Sequence, residues 1–135
     1  MEGLSDNFNL ETLKRIDKTV DFVLNGADWM TRKELLEGLD CVNLPVHTSQ
    51  LSRDIDLLQQ CNISGFNYFK GDKGFDKSSA TIMIVFRWLA RNRSRGQGAT
   101  HVSEIVQLIK TGEIKRNGEQ QWRNCAAIEV KAVQL

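Results

Sequence analysis

The sequence is poor in the residues that mark most specialised classes. Proline occurs once in 135 residues, at Pro45, which excludes a proline-rich linker or a polyproline recognition segment. Histidine occurs twice, at His47 and His101, and neither stands in a nucleophile-elbow or metalloprotease pattern. The three cysteines, Cys41, Cys61 and Cys125, are odd in number and widely spaced, with no CxxC pair. That argues against a disulfide framework and for a reducing compartment. They read as small buried hydrophobes rather than as zinc ligands joined by the two histidines, because metal pairs sit a few residues apart. No metal and no cofactor are expected. The longest apolar run, Ile82 to Phe86, falls far short of the ~20 residues that span a bilayer. Met1 to Leu10 is polar and acidic and lacks the basic-then-apolar order of a secretory signal. The expectation is a cytoplasmic protein with no membrane partner.

Catalytic signals are equally scarce. Gly71-Asp-Lys-Gly74 is not a phosphate-binding loop, since no Lys-Ser/Thr follows at the start of a helix. Asp54 and Asp56 are two residues apart, on different faces of a helix, and make no carboxylate pair. The chain reads as a non-enzyme.

What is present is enough apolar material for a core, 41% hydrophobic against 26% charged residues, in a length that suits one ordinary domain. The formal net charge of +1 conceals an asymmetry. Residues 1–62 hold six basic and eleven acidic side chains, and residues 63–135 hold twelve basic and six acidic ones. From Lys77 to Gly98 there is no acid at all. A basic second half fits a polyanionic partner.

Along the chain, residues 1–10 read as a flexible terminus. From Glu11, Leu13, Ile16 and Val20 recur at helical spacing, and Asn25-Gly26 ends that helix. Trp29 and Met30 form a short connection. Thr31-Arg-Lys-Glu34 is a capping box opening a second, short helix with Leu35, Leu36 and Leu39 inward. Cys41 to His47, with Pro45, is the turn. Thr48 or Ser49 caps a third helix striped by Leu51, Ile55 and Leu58 and stopped at Asn62. The period then changes. Phe66 and Tyr68 alternate in a strand over Ile63 to Lys70, Gly71 to Gly74 turns, and Ala80 to Phe86, rich in β-branched residues, reads as the returning strand. Arg87 to Gly98 reads as an exposed basic loop. A helix capped by Thr100 or Ser103 follows, then an Asn-Gly turn at 117–118 and a weak strand near the end.

Three helices followed by a hairpin carry a resemblance. The segment Thr31 to Asn62, TRKELLEGLDCVNLPVHTSQLSRDIDLLQQCN, resembles the helix-turn-helix of winged-helix transcription regulators, and the likeness of pattern covers roughly residues 12–86. The expected fold is α+β: a winged helix-turn-helix domain over 11–90, with a basic loop, C-terminal helix and short strands over 91–135. The resemblance implies double-stranded DNA as partner and a role in transcription or another DNA transaction. Thr48, Ser49, Gln50, Ser52 and Arg53 would face a major groove, where Gln and Arg can pair with base edges. Lys70, Lys73 and Lys77 would lie over phosphates at the wing, and Arg91, Arg93 and Arg95 would add a second basic cluster. The third helix departs from that pattern in holding a single basic residue, Arg53, beside Asp54 and Asp56. Two-fold operators make a homodimer the natural state for such a protein.

Two alternatives stand beside this. One is a winged-helix protein-interaction module, such as a phage or plasmid accessory factor that binds a host protein through its acidic first half. The other is a single-strand binder that stacks bases on Phe66, Tyr68, Phe69 and Phe75. Aromatics in strands more often fill cores, and Trp29, Trp88 and Trp122 read as core or dimer contacts.

Overall fold

The computed structural model of the protein describes residues 9–69 and 71–110. Their order is α1 (Leu10–Leu24), β1 (Trp29–Thr31), α2 (Arg32–Cys41), α3 (Thr48–Gln60), β2 (Gly74–Asp76), α4 (Lys77–Asn92) and α5 (Arg95–Lys110). Among the described residues the architecture is five helices with one small antiparallel sheet, in which Trp29 pairs with Asp76, Met30 with Phe75 and Thr31 with Gly74. Among the described residues no helix is long and apolar enough to cross a membrane.

Local chemistry accounts for most of the boundaries. Asn9 caps α1 by accepting from the Thr12 amide at 2.9 Å. The helix ends where Asn25 (φ 47°) and Gly26 (φ 81°) take the left-handed conformation. The capping box of α2 is complete: the Glu34 amide donates to Thr31 Oγ1 at 3.0 Å and the Thr31 amide to Glu34 Oε1 at 2.9 Å. Gly38 looks like a weak point in α2 on propensity alone. A Cβ there would lie 2.7 Å from Val23 Cγ1, so glycine is what allows α2 to run close past α1.

The backbone divides into two compact units. The larger comprises residues 19–103; the other comprises 1–18 with 104–135, of which 9–18 and 104–110 are described. In the larger unit the core gathers Val20, Val23, Leu35, Leu39, Leu51, Ile55, Leu58, Phe75 and the α4 run Ile82 to Phe86. In the other, Leu13 and Ile16 on α1 and Ile105, Val106 and Ile109 on α5 are buried.

Several sequence expectations are overturned. Ile63 to Phe69 forms turns and irregular loop, not a strand. Ala80 to Phe86 is not the returning strand of a hairpin but the middle of α4. Every residue from Ser79 to Phe86 is buried, so the segment shows no 3.6-residue alternation of polar and apolar positions. Its β-branched side chains were selected by enclosure, which a helix meets as well as a strand. The start signal was present: the Asp76 carboxylate accepts from the Ser79 amide at 2.8 Å as the N-cap of α4. The wing hairpin is therefore replaced by loop, short strand and helix.

Arg87 to Gly98 is not a flexible loop either. α4 continues to Asn92, and after Arg93 and Ser94 the chain re-enters helix at Arg95, well before Thr100 or Ser103. Ser94 Oγ accepts from the Gln97 amide at 3.1 Å, and Ser94-Arg-Gly-Gln97 has the spacing of a capping box. Cys41 and Cys61 are free and exposed rather than buried, since one ends α2 and the other caps the end of α3. Trp29 is 52% exposed and does not belong to the core. The expected turn at 117–118, the terminal strand, Cys125, Trp122 and the terminus 1–8 lie outside the described residues.

Candidate nucleic-acid interface

The stripe that buries α3 contains Leu51, Asp54, Ile55 and Leu58 at i, i+3, i+4 and i+7. A fully buried carboxylate in an apolar stripe requires partners, because an unpaired charge there is too costly. Asp54 has three. Arg87 Nη1 donates to Oδ2 at 2.7 Å, Arg95 Nε and Nη2 donate to Oδ1 at 3.2 and 3.0 Å, and Gln50 Nε2 donates to Oδ1 at 3.0 Å. Arg53 Nη2 then donates to Gln50 Oε1 at 2.9 Å. One carboxylate thus fixes α3 to both α4 and α5 and draws three arginines to its vicinity.

The outward face of α3 starts with Thr48, Ser49, Ser52, Arg53 and Asp56, all exposed. Arg32, from the first turn of α2, reaches across to it. Its Nη2 donates to the Thr48 carbonyl at 2.7 Å and to Ser52 Oγ, and its Nε donates to Thr48 Oγ1 at 3.2 Å. The N-cap of α3 is His47, not Thr48 or Ser49, and it makes no side-chain cap. The helices α1, α2, α4 and α5 each receive a side-chain cap, from Asn9, Thr31, Asp76 and Ser94. The leading amides of α3 are left for another acceptor. Charge follows the same pattern: α1 and α2 carry Glu11 and Glu34 in their first turns, whereas α3, α4 and α5 carry no acid there. Lys77 and Arg95 occupy the first positions of α4 and α5, adding positive charge to the positive end of each helix dipole.

The sequence-predicted site residues separate into two groups. Gln50, Arg53 and Arg95 gather around Asp54, Thr48 and Ser52 gather around Arg32, and Ser49 is exposed beside them. Lys73, Lys77 and Arg91 are exposed but make no hydrogen bond or ion pair with either cluster among the described residues. Arg93 follows α4 and is exposed, and Lys70 lies outside the described residues. Sequence reasoning missed Arg32 and Arg87 and dismissed Asp54. Asp54 was findable, because a carboxylate in phase with Leu51, Ile55 and Leu58 needs a cation. Nothing local marks Arg32, which sits inside a capping box and acts on a different helix.

Hydrogen bonds tie the described residues of the loop after α3 to its neighbours. Gln59 Nε2 donates to the Tyr68 carbonyl at 2.6 Å, the Asn67 amide to Ser79 Oγ at 2.7 Å, and Ser78 Oγ to the Gly65 carbonyl at 2.8 Å. The Tyr68 ring stacks on Phe75 at 4.3 Å between centroids and 18° between planes. Asn67 Nδ2 donates to Asp76 Oδ2 at 2.9 Å. Burial pushes the Asp76 carboxyl up, but hydrogen bonds from Asn67 and Ser79 outweigh it and hold the group below the ordinary aspartate range. Two grooves flank the loop. One of about 340 Å³ is lined by Arg32, Ser52, Asp56, Gln59, Tyr68 and Gly71 among others. The second, about 480 Å³, includes Gln59, Asn62, Phe66, Tyr68 and Phe69.

The chain matches no protein-family model, no curated protein and no solved structure.

Proposed function

We propose that the protein binds duplex DNA through α3, with α2 and α3 as a helix-turn-helix and loop residues 61–69 in the role of a wing. The observation that carries this reading is the start of α3: the one described helix without a side-chain cap, exposed, and bordered by Arg32, Arg53 and Arg95. Unsatisfied amides at a helix N-terminus beside guanidinium groups accept a phosphate. Seating that terminus on the backbone turns Ser49, Ser52 and Arg53 toward base edges. Arg53 and Arg95 are exposed and Arg32 is half-buried, and of the two carboxylates of α3 Asp54 is enclosed and Asp56 faces outward.

The test is fluorescence anisotropy of a labelled mixture of genomic duplexes, titrated with salt. If ~5 cations neutralise phosphates, affinity falls with a log–log slope of about −4 to −5 between roughly 50 and 200 mM salt. Arg53→Ala weakens binding and shallows the slope, whereas Asp56→Asn, which removes the outward carboxylate, tightens it. Absence of binding at the lowest salt overturns the proposal.

A second reading has one specific support. Phe22 is 62% and Trp29 52% exposed, both large apolar groups in water. As a protein-interaction module the chain would use these, and their replacement by Ser would abolish partner binding without touching DNA affinity.

A further inference from the structure

We infer that Gln50 is a positioning residue that aims Arg53 at a guanine, an assignment that rests on the duplex-binding proposal above. The outward start of α3 offers several groups that could meet a base edge, and most are already engaged within the protein. Thr48 Oγ1 and Ser52 Oγ accept from Arg32, and the Ser52 hydroxyl donates to the Thr48 carbonyl at 3.3 Å. Ser49 Oγ lies 3.3 Å from His47 Nδ1. Gln50 is committed at both ends of its amide: Nε2 donates to Asp54 Oδ1 at 3.0 Å, and Oε1 accepts from Arg53 Nη2 at 2.9 Å. That orientation is dictated by its neighbours, since a carboxylate only accepts and a guanidinium only donates. Reading adenine takes both ends of a glutamine amide, and both ends of Gln50 are engaged.

Arg53 is the exception. It is exposed, gives a donor to Gln50 and makes no ion pair among the described residues, although Asp56 stands three positions on. A helical side chain leans back toward the helix N-terminus. The bond to Gln50, one turn earlier, holds the guanidinium there, beside the uncapped amides of α3. Gln50 is itself anchored, because Asp54 is fully enclosed and gripped by Arg87 at 2.7 Å and Arg95 at 3.0 Å. The chain of bonds therefore runs from core to surface, Asp54 to Gln50 to Arg53, and ends on a planar fork of donors. Being neutral, Gln50 passes on position and leaves the charge of Arg53 uncompensated. Guanine alone among the bases presents two acceptors, N7 and O6, side by side in the major groove, and such a fork meets them with two parallel bonds. Restricting a long side chain before it binds lowers the rotamer entropy lost on contact. Gln50 thus favours guanine without touching the DNA.

The experiment uses the full chain and a pool of duplexes randomised over a central stretch, from which bound sequences are recovered and read. Wild type is expected to enrich guanine at one position. Replacing that base by 7-deazaguanine, which lacks the N7 acceptor, weakens binding by about tenfold, within the discrimination of a paired contact. Arg53→Lys keeps the charge but not the fork, and Gln50→Ala keeps the fork but not its support. Both reduce the 7-deazaguanine effect to about twofold or less, and both retain the wild-type salt slope because the number of cations is unchanged. A wild type that enriches no guanine overturns the assignment, as does a Gln50→Ala protein with the full 7-deazaguanine effect. Enrichment of adenine that Gln50→Ala abolishes and Arg53→Lys preserves overturns it too, by making Gln50 the reader. Each of these leaves duplex binding standing, whereas a wild type that binds no duplex at low salt overturns both.

Discussion

At the residue scale Asp54 joins three helices through one buried carboxylate. Its side chain is inaccessible, and Arg87 beside it retains only 14% of its side-chain exposure. Removing one member of a buried pair strands the other, whereas replacing the whole cluster by apolar groups need not destabilise. Asp54→Ala is therefore expected to cost about 3 kcal/mol, at the lower end for such deletions because Arg95 is 42% exposed and can return to water. Urea denaturation measures this. Asp54→Asn keeps the shape of the acceptor and loses less. If Asp54→Ala melts like wild type, the clasp does not stabilise the fold. The same residue shows how sequence reading went astray: Asp54 was weighed as half of a carboxylate pair with Asp56 and as an acid beside Arg53, and its burial was not asked about.

Elements were legible where their signals were local and hidden where they were not. The capping box at Thr31, the left-handed stop at Asn25-Gly26 and the stripe of α3 are short-range chemistry, and all three appear as expected. α4 failed because a helix enclosed on every side has no polar face to give its period away, so residue composition prevailed over the Asp76 cap. That cap supports a prediction of its own. The carboxyl of Asp76 is held below its ordinary range, so its stabilising contribution is complete above the unfolded-state pKa of an aspartate. It is lost as pH falls through the depressed folded-state value. Asp76→Ala should cost ~1 kcal/mol near neutral pH, as expected for a lost N-cap. The gap between variant and wild type should close in acid, read by thermal melts from pH 7 downward. A gap that widens in acid contradicts the assignment.

For the whole molecule, the mixture of helices with a little antiparallel sheet, the run of three helices over residues 10–60 and the basic bias of the second half were visible in the sequence. The wing was not, because two aromatic-rich and β-branched stretches imitate a hairpin once burial is unknown. Distant partners such as Arg32 with Ser52 or Arg87 with Asp54 leave no trace in spacing. The enclosure of α4 has a global correlate. Amides of Ile82 to Phe86 should exchange with solvent only through complete unfolding of the unit comprising residues 19–103, while those of the exposed α3 start exchange through local opening. Hydrogen exchange followed by mass spectrometry resolves these segments. Rapid exchange across 82–86 is the outcome that contradicts a central α4.

The clasp on Asp54 also joins positions 33 and 41 apart in the chain. During synthesis α3 is complete long before its two arginine partners have been added. Until Arg87 and then Arg95 emerge, the inner face of α3 carries a carboxylate whose only finished partner is Gln50. The inner face of α3 can therefore seat in its finished environment only once the chain has grown past residue 95.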